Sequence, residues 1–141
     1  LDRHLGRLRA ADLFLDTFPC NAHTTASDAL WAGLPVLTCS GATFASRVAG
    51  SLLAAIGLPE LITQSMVEYQ ALALRLAQAP GELAVLRERL SRNRATSAVF
   101  DTPRFAENLE AAYELMWQNY VAGVQPRAIE IADDASSAAN G

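Results

Sequence analysis

Short apolar runs along this chain alternate with stretches whose apolar residues recur every three or four positions. The first pattern marks buried parallel strands, the second amphipathic helices. Leu5 and Leu8 among arginines predict a short helix over 3–11. Leu13-Phe14-Leu15, ending at Asp16, predicts a strand. Pro19 keeps 17–23 a loop, and a helix follows over 24–32, stopped by Gly33. A second strand is predicted at 35–38, a second loop at 39–42, and a helix over 43–56 that stops at Gly57. Leu61-Ile62-Thr63 predicts a third strand. Beyond it, Tyr69, Leu72 and Leu76 share one helical face, in a helix ending near Pro80-Gly81, and Leu83, Leu86 and Leu90 share another. The arginines at 87, 89, 92 and 94 read as the solvated side of that second helix. Thr102, as a hydroxyl N-cap before Pro103, opens a last helix to about Val121, with Phe105, Leu109, Ala112 and Met116 in one stripe.

The order strand–helix–strand–helix–strand, then three helices, predicts an α/β fold: a partial Rossmann-like parallel sheet covered by helices on both faces, followed by C-terminal helices. Three strands are few for such a sheet, so its remaining strands are expected before Leu1. Small polar residues after Pro126 predict a disordered tail over 126–141.

Composition narrows the function. The chain has 141 residues, 51% hydrophobic, with a formal net charge of −4. Mild acidity speaks against a nucleic-acid binder built on a basic face. All 11 basic residues are Arg, so a phosphate contact here must use Arg, His, Ser, Thr or backbone N–H. Cys20 and Cys39 form neither a disulfide framework nor a metal-ligand spacing, as expected of a cytoplasmic protein. The apolar stretch 48–62 is interrupted by Gly57 and Pro59 and is too short to span a membrane.

In open parallel sheets, ligands bind beyond the carboxyl ends of the strands, where loops meet helix N-termini. The segment Asn21-Ala22-His23-Thr24-Thr25-Ala26-Ser27-Asp28 occupies that place. Its small residues admit a ligand, its hydroxyls and first-turn N–H groups suit a diphosphate, and Asp28 lies within reach of a sugar hydroxyl. The same residues are also compatible with a plain helix start, with Asn21 or Thr24 as cap. His4 and Arg7, three apart, share a helical face that suits either a base or solvent. The loop Ser40-Gly41-Ala42-Thr43 either lines the same pocket or is a simple turn.

Taken together, these residues carry a family resemblance. The runs Ala11–Thr17, Cys20-Asn21-Ala22-His23-Thr24-Thr25, Asp28-Ala29-Leu30-Trp31-Ala32-Gly33-Leu34-Pro35-Val36 and Ala45-Ser46-Arg47-Val48-Ala49 resemble the C-terminal half of the catalytic region of O-linked N-acetylglucosamine transferases and Spindly-type proteins, glycosyltransferase family 41. Glu68-Tyr69 and the Met116-Trp117 helix extend it over about residues 2–125. The resemblance implies a GT-B enzyme of two Rossmann-like domains, with residues 1–125 being the C-terminal part of the nucleotide-sugar-binding one. It implies an inverting transfer of GlcNAc from UDP-GlcNAc to Ser or Thr of proteins, without a metal or other cofactor. It also implies upstream TPR repeats and an N-terminal catalytic domain as partners in the full-length chain. By the same resemblance, His23, Thr24 and Thr25 match the diphosphate loop, Asp28 the ribose-contacting carboxylate, and His4 and Arg7 positions around the uracil. The family's phosphate-binding Lys, a nearby Gln and the proposed catalytic-base His are absent from this sequence and are expected upstream; no catalytic residue is assigned here. Ala22 stands where Gly is frequent. The chain alone is therefore expected to be inactive. Other readings are GDP-fucose or UDP-glucose as donor, a non-catalytic interaction module, and a nucleotide-sugar epimerase, which calls for a different diphosphate loop.

Overall fold

A computed structural model describes residues 2–131, as two compact units that divide between Phe100 and Asp101. In the first, helix α1 (Asp2–Leu8) precedes strand β1 (Phe14–Leu15), helix α2 (Thr24–Ala32) and strand β2 (Val36–Cys39). Helix α3 (Val48–Ala55), strand β3 (Ile62–Thr63) and helices α4 (Met66–Gln78) and α5 (Pro80–Arg94) follow. The three strands form a parallel sheet in the order β1-β2-β3, with Phe14 opposite Val36 and Cys39 opposite Thr63. This is the expected α/β architecture.

β2 is central and buried along its whole length. Its side chains alternate between faces, as in any strand. Val36 enters a core with Ala26, Ala29 and Leu30 of α2, Ala49 and Leu53 of α3, and Leu86 and Leu90 of α5. Leu37 and Cys39 instead pack with Tyr69 of α4. Gly33 ends α2 in the left-handed region at φ 86°, and the Leu34 N–H returns to the Ala29 carbonyl at 2.9 Å. That closure needs a residue without a Cβ penalty, and it delivers the chain directly into β2.

Three expectations are corrected. The helix expected over 43–56 is broken: a 3₁₀ turn at Phe44–Ser46 precedes α3, because the Thr43 and Ser46 side chains cap each other's backbone N–H groups. The arginines of α5 are not a free solvated face. Arg87 donates to the Ala11 carbonyl, Arg89 pairs with Glu60, and Arg94 donates to the Trp31 carbonyl while lying 5.6 Å from the Trp31 ring centre. Only Arg92, paired with Glu88 at 3.4 Å, matches the expectation. The cap of the last helix is Asp101 rather than Thr102, its carboxylate accepting from the Arg104 N–H at 3.1 Å.

That helix, α6 (Thr102–Val121), forms the second unit with the irregular segment 122–131. Phe105, Met116, Trp117 and Tyr120 on it are exposed, and Trp117 stacks on Tyr120 at 5.7 Å. Of the tail expected over 126–141, residues 132–141 lie outside the described residues. Among the described residues, no helix is long and apolar enough to cross a membrane.

Candidate nucleotide-sugar site

β1 ends at Leu15, and the next residue organises the loop that follows. Asp16 is buried, and its carboxylate accepts three hydrogen bonds. Oδ1 takes the N–H groups of Thr17 (2.8 Å) and Ala22 (2.7 Å); Oδ2 takes the Thr38 hydroxyl of β2 (2.6 Å). One side chain thus ties both ends of the 17–22 loop to the neighbouring strand, satisfying the donors that burial would otherwise strand. From the other face, the Tyr69 hydroxyl donates to the Asp16 carbonyl at 2.8 Å. Burial first, then the charge of Asp16 and the neighbouring Cys39, pushes the Tyr69 phenol above its usual range. Asn21, also buried, donates to the carbonyls of Thr17 (3.0 Å) and Cys39 (3.3 Å). It is therefore part of the loop's frame and not a helix cap.

The loop delivers the chain to α2 at His23. No side chain caps this helix. His23 has φ −102° and ψ −88°, away from the extended backbone of an ordinary cap, and Thr24 does not cap either. The first intrahelical bond recorded is Ser27 N–H to the His23 carbonyl, 3.1 Å. The N–H groups before it are left pointing out of the helix, and His23, Thr24 and Thr25 around them are exposed. The positive end of the macrodipole adds to this. The exposed ring of Phe44, from the 3₁₀ turn that follows the second loop, meets His23 edge-on at 6.1 Å. The Asn21 N–H bond to the Ala45 carbonyl at 2.9 Å ties the first loop to that turn, and Gly41 of the second loop lies against the Phe18 ring of the first.

One turn into α2, Asp28 accepts from His4 of α1, with Nε2 to Oδ2 at 3.2 Å. Arg7 in turn lies 3.1 Å from His4 Nδ1. The structure therefore gathers the six sequence-predicted residues into two groups: His23, Thr24 and Thr25 at the N-terminus of α2, and, a turn later, Asp28 of α2 with His4 and Arg7 of α1. His4 and Arg7 are not on a merely solvated face. Sequence reasoning missed Asp16, Thr38 and Tyr69 as the frame of the loop. Only Asp16 left a signal, an acid closing an apolar run. A groove of about 650 Å³ beside β1, lined by Leu13, Leu15, Leu76, Leu83 and Arg87 among others, includes none of the site residues. Among the described residues, no cluster of three or more His, Cys, Asp or Glu is placed to hold a metal.

A parallel sheet whose strand ends frame an open helix N-terminus, with hydroxyls and a carboxylate beside it, is the architecture of half of a nucleotide-binding-type α/β fold. Comparison with known proteins gives the particular family. The model of Glycosyl transferase family 41 matches residues 1–109, and the chain belongs to that family. It is 41% identical over 132 residues to the probable UDP-N-acetylglucosamine–peptide N-acetylglucosaminyltransferase SEC of Arabidopsis thaliana, covering 93% of this chain and 14% of that protein. It is 38% identical to the UDP-N-acetylglucosamine–peptide N-acetylglucosaminyltransferase of Caenorhabditis elegans, covering 87% of this chain and 11% of that one. The solved structure of a mutant O-GlcNAc transferase from Thermobaculum terrenum superposes with a TM-score of 0.79 at 39% identity, over 84% of this chain and 23% of that chain. The chain thus spans about a seventh or less of the curated relatives quoted and about a quarter of the solved one.

Proposed function

We propose that this chain is the donor-binding part of a protein O-glycosyltransferase that moves GlcNAc from UDP-GlcNAc to Ser or Thr hydroxyls. The observation that carries the reading is the uncapped N-terminus of α2, open to solvent and flanked by His23, Thr24 and Thr25. In the proposed reaction, the acceptor oxygen attacks the anomeric carbon from the face opposite the diphosphate, inverting it. The bond from that carbon to the diphosphate oxygen breaks, and its electron pair leaves with UDP. The acceptor proton passes to a base supplied by another part of the enzyme. The free N–H groups of α2, its dipole and the threonine hydroxyls stabilise the growing charge on the leaving diphosphate. They are fixed before the reaction begins, so no reorganisation is needed as charge develops. No metal is required by this arrangement. Asp28 accepts from the ribose, and the uracil lies near α1.

In the full-length protein, residues 1–125 belong to the nucleotide-sugar-binding domain. A phosphate-binding Lys, the catalytic base and acceptor-holding TPR repeats come from elsewhere in the chain, and the enzyme works in the cytoplasm. The names of the relatives, N-acetylglucosaminyltransferases of peptides, support this choice of donor and acceptor.

Thr25→Val and Asp28→Ala in the full-length protein each weaken UDP binding, by about tenfold for a hydrogen bond to a charged group. Calorimetric titration measures this, and unchanged affinity in both variants overturns the loop assignment. A panel of UDP-GlcNAc, UDP-glucose and GDP-fucose, read by mass shift of an acceptor peptide, tests the donor. Transfer from UDP-GlcNAc is expected, and transfer only from another sugar refutes it.

A further inference from the structure

Phe44 is a large apolar side chain left 74% exposed, and it belongs to neither core cluster of the first unit. Filling the core does not explain it. Its backbone, by contrast, is firmly held. It opens the 3₁₀ turn in which the Ser46 N–H donates to Thr43 Oγ1 at 3.3 Å and the Thr43 N–H to Ser46 Oγ at 3.1 Å. The Ala45 carbonyl of the same turn takes the Asn21 N–H at 2.9 Å. The turn is thus tied to the loop that leads into α2, and it carries the Phe44 ring to His23. The two ring centres lie 6.1 Å apart with their planes at 86°, an edge-to-face aromatic pair.

His23 has little else to hold it. It is exposed, and among the described residues no group hydrogen-bonds its ring. A side chain so placed exchanges among staggered wells, and a ligand that needs one of them bears the cost of selecting it. Phe44 narrows that choice before a ligand arrives. It does so through a ring and not through a hydrogen bond, so both imidazole nitrogens stay available.

We propose that Phe44 is a positioning residue that acts through His23, holding the imidazole at the open end of α2 so that a ring nitrogen meets the donor's diphosphate. The inference rests on the proposed reading of α2 as the diphosphate site. It goes further by giving an apolar residue beyond the second loop a part in binding a charged group that it does not itself contact.

The test measures, in the full-length protein, how much the diphosphate adds to binding: the ratio of the affinity for UDP, by calorimetry, to that for uridine, by displacement of UDP. Phe44→Ala is expected to lower this ratio about two- to tenfold, the worth of an aromatic pair, and to leave uridine affinity unchanged. His23→Ala lowers the ratio at least as far, and adding Phe44→Ala to it lowers the ratio no further. Phe44→Tyr, which keeps the ring, keeps the wild-type ratio. The positioning role is wrong, and the site stands, if Phe44→Ala leaves the ratio unchanged, weakens both ligands alike or adds its full effect to that of His23→Ala, or if Phe44→Tyr is as low as Phe44→Ala. A wild-type ratio in His23→Ala overturns the role too; if Thr25→Val then also leaves UDP affinity unchanged, the reading of α2 falls with it.

Discussion

Asp16 shows how one buried side chain can frame a site it does not enter. Its three accepted hydrogen bonds hold the 17–22 loop against β2, and Tyr69 clamps its carbonyl from α4. The sequence showed the acid closing an apolar run, but Tyr69 lies 53 positions away, and no local pattern reveals that pairing. His23, Thr24, Thr25 and Asp28 were singled out because they open a helix beyond the carboxyl end of a strand, and the family resemblance, not the residue types alone, favoured a ligand loop over a plain helix start. The bond from His4 to Asp28 was not legible, because α1 and α2 come together only through the core. The Tyr69 phenol has a pKa raised in the folded state above its ordinary value of 10.0. The folded protein therefore holds the proton more tightly than the unfolded chain does. The stabilisation is fully present below the ordinary value and is lost as pH rises through the folded one. Tyr69→Phe should cost about 1 kcal/mol at neutral pH through the lost hydrogen bond. It should also flatten the alkaline fall in stability, measured by denaturant unfolding of both proteins across that range. An unchanged alkaline limb would contradict the placement of Tyr69.

Among the elements, strand order and helix order were readable, because the alternation of short apolar runs with helical periodicity leaves few topologies. Boundaries moved where side chains cap backbone. The Thr43–Ser46 exchange turns the start of one expected helix into a 3₁₀ turn, and Asp101 displaces Thr102 as cap of α6. The α5 arginines were misread because periodicity shows which face is polar, not what the polar groups reach. Arg94, for instance, caps the carbonyl of Trp31 on α2. The second loop depends on a glycine. A Cβ on Gly41 would lie 2.6 Å from Ser46 Oγ, 2.9 Å from Ser46 Cβ and 3.2 Å from Phe18 Cε2. Gly41→Ala should push the two loops apart and weaken UDP binding by several-fold or more, with little loss of helix content by circular dichroism. Wild-type affinity in this variant would show that the second loop has no bearing on the site.

At the scale of the whole molecule, the sheet has three parallel strands. In the proposed enzyme it supplies one side of a cleft, and the acceptor, the base and the phosphate-binding lysine lie outside this chain. The 141-residue chain by itself is therefore expected to give no transferase turnover above background with UDP-GlcNAc and an acceptor peptide, monitored by mass spectrometry. Robust turnover would show that the chemistry resides here. The central claim is narrower and more direct: the open end of α2 holds the diphosphate. A crystal structure of the full-length protein soaked with UDP tests it. The account predicts diphosphate oxygens within hydrogen-bonding distance of the first-turn N–H groups of α2 and of the Thr24 or Thr25 hydroxyl. UDP bound with its diphosphate elsewhere, and this helix end left to solvent, would contradict it.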